Sequence, residues 1–118
     1  MWIVMNNAFM SIVNTKDDPD TVAVRARLEE DLIAVFPEHA NEVITTDDSD
    51  YRFRLILDKK YVADVVAESI VNIDYTNFKN SVKEKWRYRA YTQIWSVMYK
   101  IQEAFHPNEN KWWLNYRR

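Results

Sequence analysis

Residues 51–73 read YRFRLILDKKYVADVVAESIVNI, and this stretch decides the fold. Its first seven residues alternate as in a half-buried β-strand, with Tyr51, Phe53, Leu55 and Leu57 on one side and Arg52, Arg54 and Ile56 on the other. Asp58 then stands where a helix N-cap is expected. Beyond it, one helix face is lined by Val62, Val65, Val66, Ser69, Ile70 and Ile73. The stretch therefore predicts a strand over 51–57, followed directly by an amphipathic helix.

The residues before this stretch predict a similar series of elements. Apolar and β-branched runs indicate strands over residues 2–5, 9–15, 21–27 and 42–46. A short helix over 28–36 should end before Pro37. We therefore predict an α+β fold in which an antiparallel sheet of ββαββα order carries its helices on one face. This is the order of a circularly permuted ferredoxin-like sandwich, here with an added N-terminal edge strand.

The residues after this stretch predict a loop, a long helix and an aromatic tail. Ser81 and Glu84 have the spacing of a capping box, and the helix is predicted over 82–105. Its main apolar face is expected to form core and comprises Trp86, Ala90, Ile94, Val97, Met98, Ile101 and Phe105. We predict a single domain over residues 1–106, which includes this helix, and a tail over 107–118.

The composition of the 118 residues excludes several classes of site, because the chain has no glycine and no cysteine. The Walker A loop, the Rossmann fingerprint and the nucleophile elbow all require glycine. Disulfides, thiolate catalysis and cysteine zinc sites require cysteine. His39 and His106 lie beside prolines without a motif partner. We therefore predict a protein that is not an enzyme and needs no cofactor or metal.

Tight turns in a chain without glycine must come from other residues. We expect Asn6-Asn7 to supply left-handed turn conformations, because asparagine tolerates them best after glycine. Two acidic turns, residues 17–20 and 47–50, hold six aspartates. Carboxylate oxygens bind hard cations, but neither cluster has the spacing of an EF-hand loop. We favour a structural role, in which these side chains accept hydrogen bonds from their own turn.

The strand alternation places arginines on the side of the sheet that faces away from the helices. If Val22 and Val24 face the helices, Arg25 and Arg27 face outward, and the strand over 51–57 contributes two more, Arg52 and Arg54. Guanidinium groups match phosphate and carboxylate oxygens, so these four residues are a candidate site for an anionic ligand or nucleic acid. The alternative is a solvated face whose arginines pair with nearby carboxylates.

The last helix carries a second, aromatic stripe beside its predicted core face. This stripe comprises Tyr88, Tyr91, Trp95 and Tyr99, and the tail adds Trp112, Trp113 and Tyr116. Tyrosine and tryptophan are enriched in protein interfaces. We therefore predict a protein-interaction module that forms a homodimer or acts as an accessory or inhibitory protein through these residues. The alternative is that the tail packs on its own domain.

The sequence also resembles a group of short bacterial and phage proteins for which no activity is established. The resemblance lies in MWI (1–3), FMSIV (9–13), DDPD (17–20), VRAR (24–27), FP (36–37), DYRFR (50–54), IDY (73–75), NFK (77–79) and WSVM (95–98). It implies one coherent small domain and carries over no site residue. The N-terminus lacks the basic region of a signal peptide, and no apolar run is long enough for a membrane helix, so we predict a cytoplasmic protein.

Overall fold

The computed structural model describes residues 1–106, which form an α+β structure in two compact units. The first unit is Met1–Thr76, and the second begins at Asn77. The strands are β1 (Trp2–Met5), β2 (Ala8–Asn14), β3 (Thr21–Ala26), β4 (Ile44–Thr45) and β5 (Phe53–Asp58). The helices are α1 (Glu29–Val35), a 3₁₀ helix (Pro37–Glu42), α2 (Lys59–Val71), α3 (Phe78–Ser81) and α4 (Lys85–Phe105).

The five strands form one antiparallel sheet in the order β1-β2-β3-β5-β4, all within the first unit. Alternate residues of β3 and β5 pack against α1 and α2, as the period-two pattern predicts. This core comprises Ala8, Met10, Val22, Val24, Ala26, Leu32, Phe36, Leu55, Leu57 and Val62. The strand residues that alternate with these core residues lie on the opposite side of the sheet. We call this side the arginine face, after Arg25, Arg27 and Arg54.

Helix α1 is tied to the sheet by a buried carboxylate. Asp31 accepts a hydrogen bond from the Phe9 backbone N–H at 3.0 Å through its Oδ2. The helix ends where the Phe36 N–H donates to the Leu32 carbonyl, and Pro37 then begins the 3₁₀ helix. The predicted helix over 28–36 is therefore confirmed within one residue at each end. The 3₁₀ helix occupies residues for which the sequence predicted no helix.

Helix α2 begins as predicted, because the Asp58 carboxylate accepts the Tyr61 N–H at 3.0 Å and caps the helix. Val62 is buried in the core, and Val65 and Val66 pack against it. The predicted stripe fails at its C-terminal end, since Ile70 and Ile73 are exposed. Beside this end of α2, an apolar cavity of about 540 Å³ lies between the helix and strands β1–β3 and includes Met1, Ile3, Ile12 and Val66 in its lining.

The prediction of left-handed turns at Asn6-Asn7 is wrong. These two residues connect β1 to β2, whose pairing closes with Met5 opposite Ala8. No residue in the part of the chain that the structure describes has a positive φ angle. The turn is thus made from negative φ angles, which avoids the 1–2 kcal/mol, roughly, that an L-residue loses in the left-handed region.

The second unit starts with a short helix that the sequence predicted as a loop. Asn77 caps α3 by accepting the Asn80 N–H at 3.0 Å. The predicted capping box does not form, because the Ser81 hydroxyl donates to the Phe78 carbonyl and the Glu84 carboxylate binds Arg87 instead. Helix α4 therefore begins at Lys85, three residues later than predicted. Within residues 1–106, no helix is long and apolar enough to cross a membrane.

Candidate anion-binding site on the arginine face

The register of β3 and β5 places two arginines side by side. Arg25 lies directly opposite Arg54 in the antiparallel pair, so both side chains leave the same face of the sheet. The Arg25 Nη2 donates to the buried Ser11 hydroxyl at 2.8 Å. The Arg54 Nη2 donates to the Ser49 hydroxyl at 3.1 Å. Each guanidinium group is therefore held at one end by a neutral serine oxygen.

Tyr51 joins a third arginine to this pair. Its ring is only 4% exposed and lies beneath two guanidinium groups, with the Arg25 Cζ at 4.7 Å and the Arg27 Cζ at 4.5 Å from its centroid. Arg27 also donates from Nη1 to the Asp50 carbonyl at 2.8 Å. The sequence pattern placed Tyr51 on the same side as Phe53 and Leu55. That interpretation is wrong, because β5 begins at Phe53 and the strand alternation does not reach back to Tyr51.

Two hydrogen-bond donors in this cluster are left without an acceptor. The Nε atoms of Arg25 and Arg54 are buried and form no hydrogen bond within the described residues. None of the three arginines forms an ion pair with a carboxylate in residues 1–106. A buried, unsatisfied donor costs about 1–3 kcal/mol, and more when it is charged. Within the described residues these two donors therefore stay unsatisfied.

Arg52, the fourth predicted residue, has different partners. Its Nη2 lies 3.4 Å from the Asp47 carboxylate, and its Cζ lies 5.7 Å from the centroid of the Phe53 ring. Both members of this ion pair are mostly exposed. Arg52 therefore already has a carboxylate partner, whereas Arg25, Arg27 and Arg54 have none within residues 1–106.

The acidic turns use their side chains locally. Asp18 accepts the Asp20 N–H at 2.9 Å, and Asp50 accepts the Tyr51 N–H at 3.0 Å. These are the turn hydrogen bonds that the sequence favoured over a cation site. Within the described residues, no three acidic or histidine side chains are placed to hold a metal ion.

The aromatic stripe of α4 is partly covered inside the second unit. Tyr91 is buried, stacks on Phe78 of the α3 segment with centroids 5.7 Å apart, and accepts a hydrogen bond from Arg87. The Trp95 ring lies 4.2 Å from the Lys79 ammonium and stacks on Tyr99 at 5.3 Å. Tyr88, Trp95 and Tyr99 remain exposed. The predicted tail residues Trp112, Trp113 and Tyr116 lie outside the described residues.

The predicted core face of α4 is wrong. The structure covers the neighbouring side of the helix, where Arg87 and Tyr91 are buried. The predicted core residues Trp86, Ala90, Ile94, Val97, Met98 and Phe105 are exposed instead. Two apolar stripes on one helix are equal candidates for burial from the sequence alone, and the α3 segment covers the aromatic one only at Tyr91.

Glu84, at the N-cap of α4, and Tyr99, within the helix, have shifted pKa values. The hydrogen bond from Arg87 holds the pKa of Glu84 below its ordinary value of 4.5. A hydrogen bond with Glu103 raises the pKa of Tyr99 above its ordinary value of 10.0, because the neighbouring carboxylate disfavours the phenolate. Both shifts stabilise the protonation states that these groups have at neutral pH, and neither prepares a general acid or base.

Sequence reasoning missed the neutral partners of the site. Ser11, Ser49 and Tyr51 position the guanidinium groups, and they come from three separate segments of the chain. The alternation of β2 could have placed Ser11 on the arginine face, but its register against Arg25 is a tertiary property. Comparison of the chain with protein families, curated proteins and solved structures finds no match. The geometry of the arginine face is therefore the basis for inferring a function, and the resemblance to short bacterial and phage proteins stays a prediction.

Proposed function

We propose that the protein is a binding module for anionic ligands and that Arg25, Arg27 and Arg54 form its site. The observation that carries this proposal is that Arg25 and Arg54 lie directly opposite each other and that neither has a carboxylate partner in residues 1–106. Like charges placed directly opposite each other in a sheet destabilise it. A ligand with phosphate or carboxylate oxygens would relieve this repulsion and supply charged acceptors to the two guanidinium groups. The role is binding rather than catalysis.

The charge state of the site supports the same proposal. Arginine stays protonated at every pH a protein meets, so burial cannot relieve the repulsion by neutralising one partner. Ser11 and Ser49 orient the guanidinium forks without cancelling their charge. Tyr51 supports Arg25 and Arg27 from beneath through its ring face, which attracts cations. The forks are thus held in place before a ligand arrives, which lowers the entropy lost on binding.

The strand order supports a more specific description of the fold than α+β. Strands β2, β3, β5 and β4 are neighbours in that order, and helices follow β3 and β5. We propose that residues 8–71 are a circularly permuted ferredoxin-like sandwich, to which β1 adds an edge strand. In this interpretation α1 and α2 cover one side of the sheet and leave the other for a ligand.

Calorimetric titration of the full chain with pyrophosphate, at constant ionic strength, tests the anion site. We expect binding that weakens tenfold or more in Arg25→Ala and in Arg54→Ala, since a hydrogen bond to a charged group contributes about 1.5–3 kcal/mol. Arg52→Ala is the matched control, because it removes the same charge from a residue already paired with Asp47. Equal losses in all three variants, or no binding by the unmodified protein, would contradict the proposal.

A second function, self-association through α4, is favoured by the exposed apolar face of that helix. Ile94, Val97 and Ile101 have the a–d–a spacing of a two-helix interface. The 21-residue helix is about 31 Å long. Trp86, Met98 and Phe105 widen the stripe and are exposed. A second copy offers the same stripe and makes a closed, two-fold interface, for which roughly 800 Å² per partner is usual.

Light scattering over a range of protein concentrations tests this association. We expect a dimer that Val97→Glu converts to a monomer, because the new carboxylate would be buried in the interface. Arg89→Gln is the control, since it changes the net charge by the same amount at a position off the stripe. A protein that is monomeric at every concentration would rule out the dimer and leave the anion site untouched.

A further inference from the structure

The arginine face continues across the sheet into an exposed aromatic surface. Trp2 lies opposite Ser11 in the β1–β2 register, Ser11 lies opposite Arg25, and Arg25 lies opposite Arg54. Residues directly opposite each other leave the same face of a sheet. One row of side chains therefore crosses four adjacent strands, from an indole ring to two guanidinium groups.

Trp2 is the most exposed ring on this face. Its side chain is 72% exposed, and its ring centroid lies 5.9 Å from that of Phe9 at an angle of 57°. Phe9 is two residues from Ser11 on β2 and so lies on the same face. Phe9 supports the indole from one side, which leaves most of its surface available to another flat group.

The spacing of the strands sets the distances along this row. Neighbouring strands are about 4.8 Å apart, so Trp2 lies about 10 Å from Arg25 and about 14 Å from Arg54, measured across the sheet. A ligand that uses both ends must therefore carry a flat aromatic group and several anionic groups along one extended chain. Single-stranded nucleic acid has this composition, because its unpaired bases stack on aromatic rings while its phosphates bind arginine.

We propose that the arginine face binds single-stranded nucleic acid, with Trp2 as a base-stacking platform and Arg25, Arg27 and Arg54 as the phosphate site. This inference rests on the proposed anion site. A duplex keeps its base faces stacked inside the helix and cannot use the indole, so single strands are preferred. An acidic peptide supplies the anions but no base to stack on Trp2.

The net charge of the chain limits how much electrostatic attraction can contribute to nucleic-acid binding. The chain carries a formal charge of −2, so it lacks the general basic surface of a nonspecific nucleic-acid binder. Three phosphate contacts on a single strand give a slope of about −2 in a plot of log affinity against log salt. Base stacking must supply the remaining affinity, which makes Trp2 the decisive residue.

The test is fluorescence anisotropy of a labelled oligothymidylate with the full chain, with pyrophosphate titrated in parallel. We expect Trp2→Ala to weaken oligonucleotide binding by roughly fivefold to a hundredfold, the range for losing one stacked base, and to leave pyrophosphate binding unchanged. Trp2→Phe should restore most of the oligonucleotide affinity. Trp86→Ala is the control, because Trp86 is an exposed tryptophan that belongs to α4 and not to the sheet.

The two ligands separate the failure of this inference from the failure of the anion site. If pyrophosphate binds but the oligonucleotide does not, or binds equally well to Trp2→Ala, the nucleic-acid inference is overturned and the anion site stands. If neither ligand binds, both are overturned. Duplex DNA that binds as tightly as the single strand overturns the inference. The inference is also overturned if polyglutamate binds and Trp2→Ala weakens that binding as much as it weakens binding of the oligonucleotide.

Discussion

The two faces of the β-sheet can be compared residue by residue, because they alternate along the same strands. On β5, Leu55 and Leu57 are buried beneath the helices, while Arg54 and Ile56 alternate with them and lie on the arginine face. On the helix side, apolar side chains from the sheet, α1 and α2 pack into one core. On the arginine face, charged groups are oriented by serines and a tyrosine but are not neutralised.

This difference shows how a small sheet separates stability from binding. Burial of apolar area on the helix side supplies most of the favourable free energy of folding. The arginine face can therefore keep two like charges side by side without loss of the fold. Substitutions on the helix side should consequently change stability, whereas substitutions on the arginine face should change binding.

The largest loss of stability is expected at Leu55, whose neighbour Ile56 on β5 lies on the opposite face of the sheet. Leu55→Ala should lower the free energy of unfolding by about 2–5 kcal/mol, because it leaves a cavity in the core. Its neighbour Ile56 is exposed on the arginine face, and Ile56→Ala should cost less than about 1 kcal/mol. Urea denaturation measures both. Similar losses would show that the arginine face is packed as tightly as the core.

The next effect concerns the carboxylate that ties α1 to β2. Asp31→Ala removes the acceptor of the Phe9 N–H and should cost about 1–3 kcal/mol, since a buried donor is left unsatisfied. Asp31→Asn keeps an oxygen in place and should lose less. Thermal unfolding monitored by circular dichroism compares the two variants. An equal loss in both would mean that the charge of Asp31, rather than its oxygen, holds the helix.

A smaller effect, this time an increase in the free energy of unfolding, is expected on the arginine face. Arg54→Glu replaces a like-charge pair with Arg25 by an opposite-charge pair and should raise the free energy of unfolding by about 0.5 kcal/mol. The same variant should lose pyrophosphate binding. Arg52→Glu is the control and should lower stability slightly, because it places a second carboxylate beside Asp47. A loss of stability in Arg54→Glu would contradict the repulsion between the two arginines.

The smallest effect concerns an arginine that already has a carboxylate partner. The pKa of Glu84 is lowered in the folded protein, so its ion pair with Arg87 contributes stability above the unfolded pKa, near 4.5. This contribution should be lost as the pH falls through the folded pKa. Glu84 is partly exposed and screened by solvent, so the contribution is at most about 1 kcal/mol.

Arg87→Met should flatten the unfolding free energy below pH 5 relative to the unmodified protein. Arg89→Met, also on α4, is the control and should keep the original pH dependence. Unchanged pH dependence in Arg87→Met would mean that the ion pair does not contribute to folding. A carboxylate partner would then give Arg87 no measurable stability over Arg25 and Arg54, which lack such a partner in residues 1–106.

Much of the first unit could be predicted from the sequence, because its signals are local. The strands, α1, α2 and the Asp58 cap follow from period-two alternation, helical periodicity and one capping side chain. The arginine site was predicted in part, since alternation alone sends Arg25 and Arg54 away from the helices. Tyr51 was misplaced because the strand pattern was extended two residues beyond the start of β5.

The second unit was predicted less well, because its signals conflict. Helix α4 has two apolar stripes, and its periodicity cannot say which one finds a partner. The α3 segment covers Tyr91 through Phe78, and this contact reverses the predicted order of burial. The capping box failed for the same kind of reason, since Arg87 competes for the Glu84 carboxylate.

The sequence by itself determined the types of the main elements and which residues of each strand share a face. It did so because side-chain direction within a strand or helix is fixed by backbone geometry over a few residues. Only the tertiary structure decided that Arg25 lies beside Arg54, that Ser11 joins Arg25 to Trp2, and that Tyr51 lies beneath two guanidinium groups. These neighbours come from distant segments, and the register that unites them is set by the packing of the whole sheet.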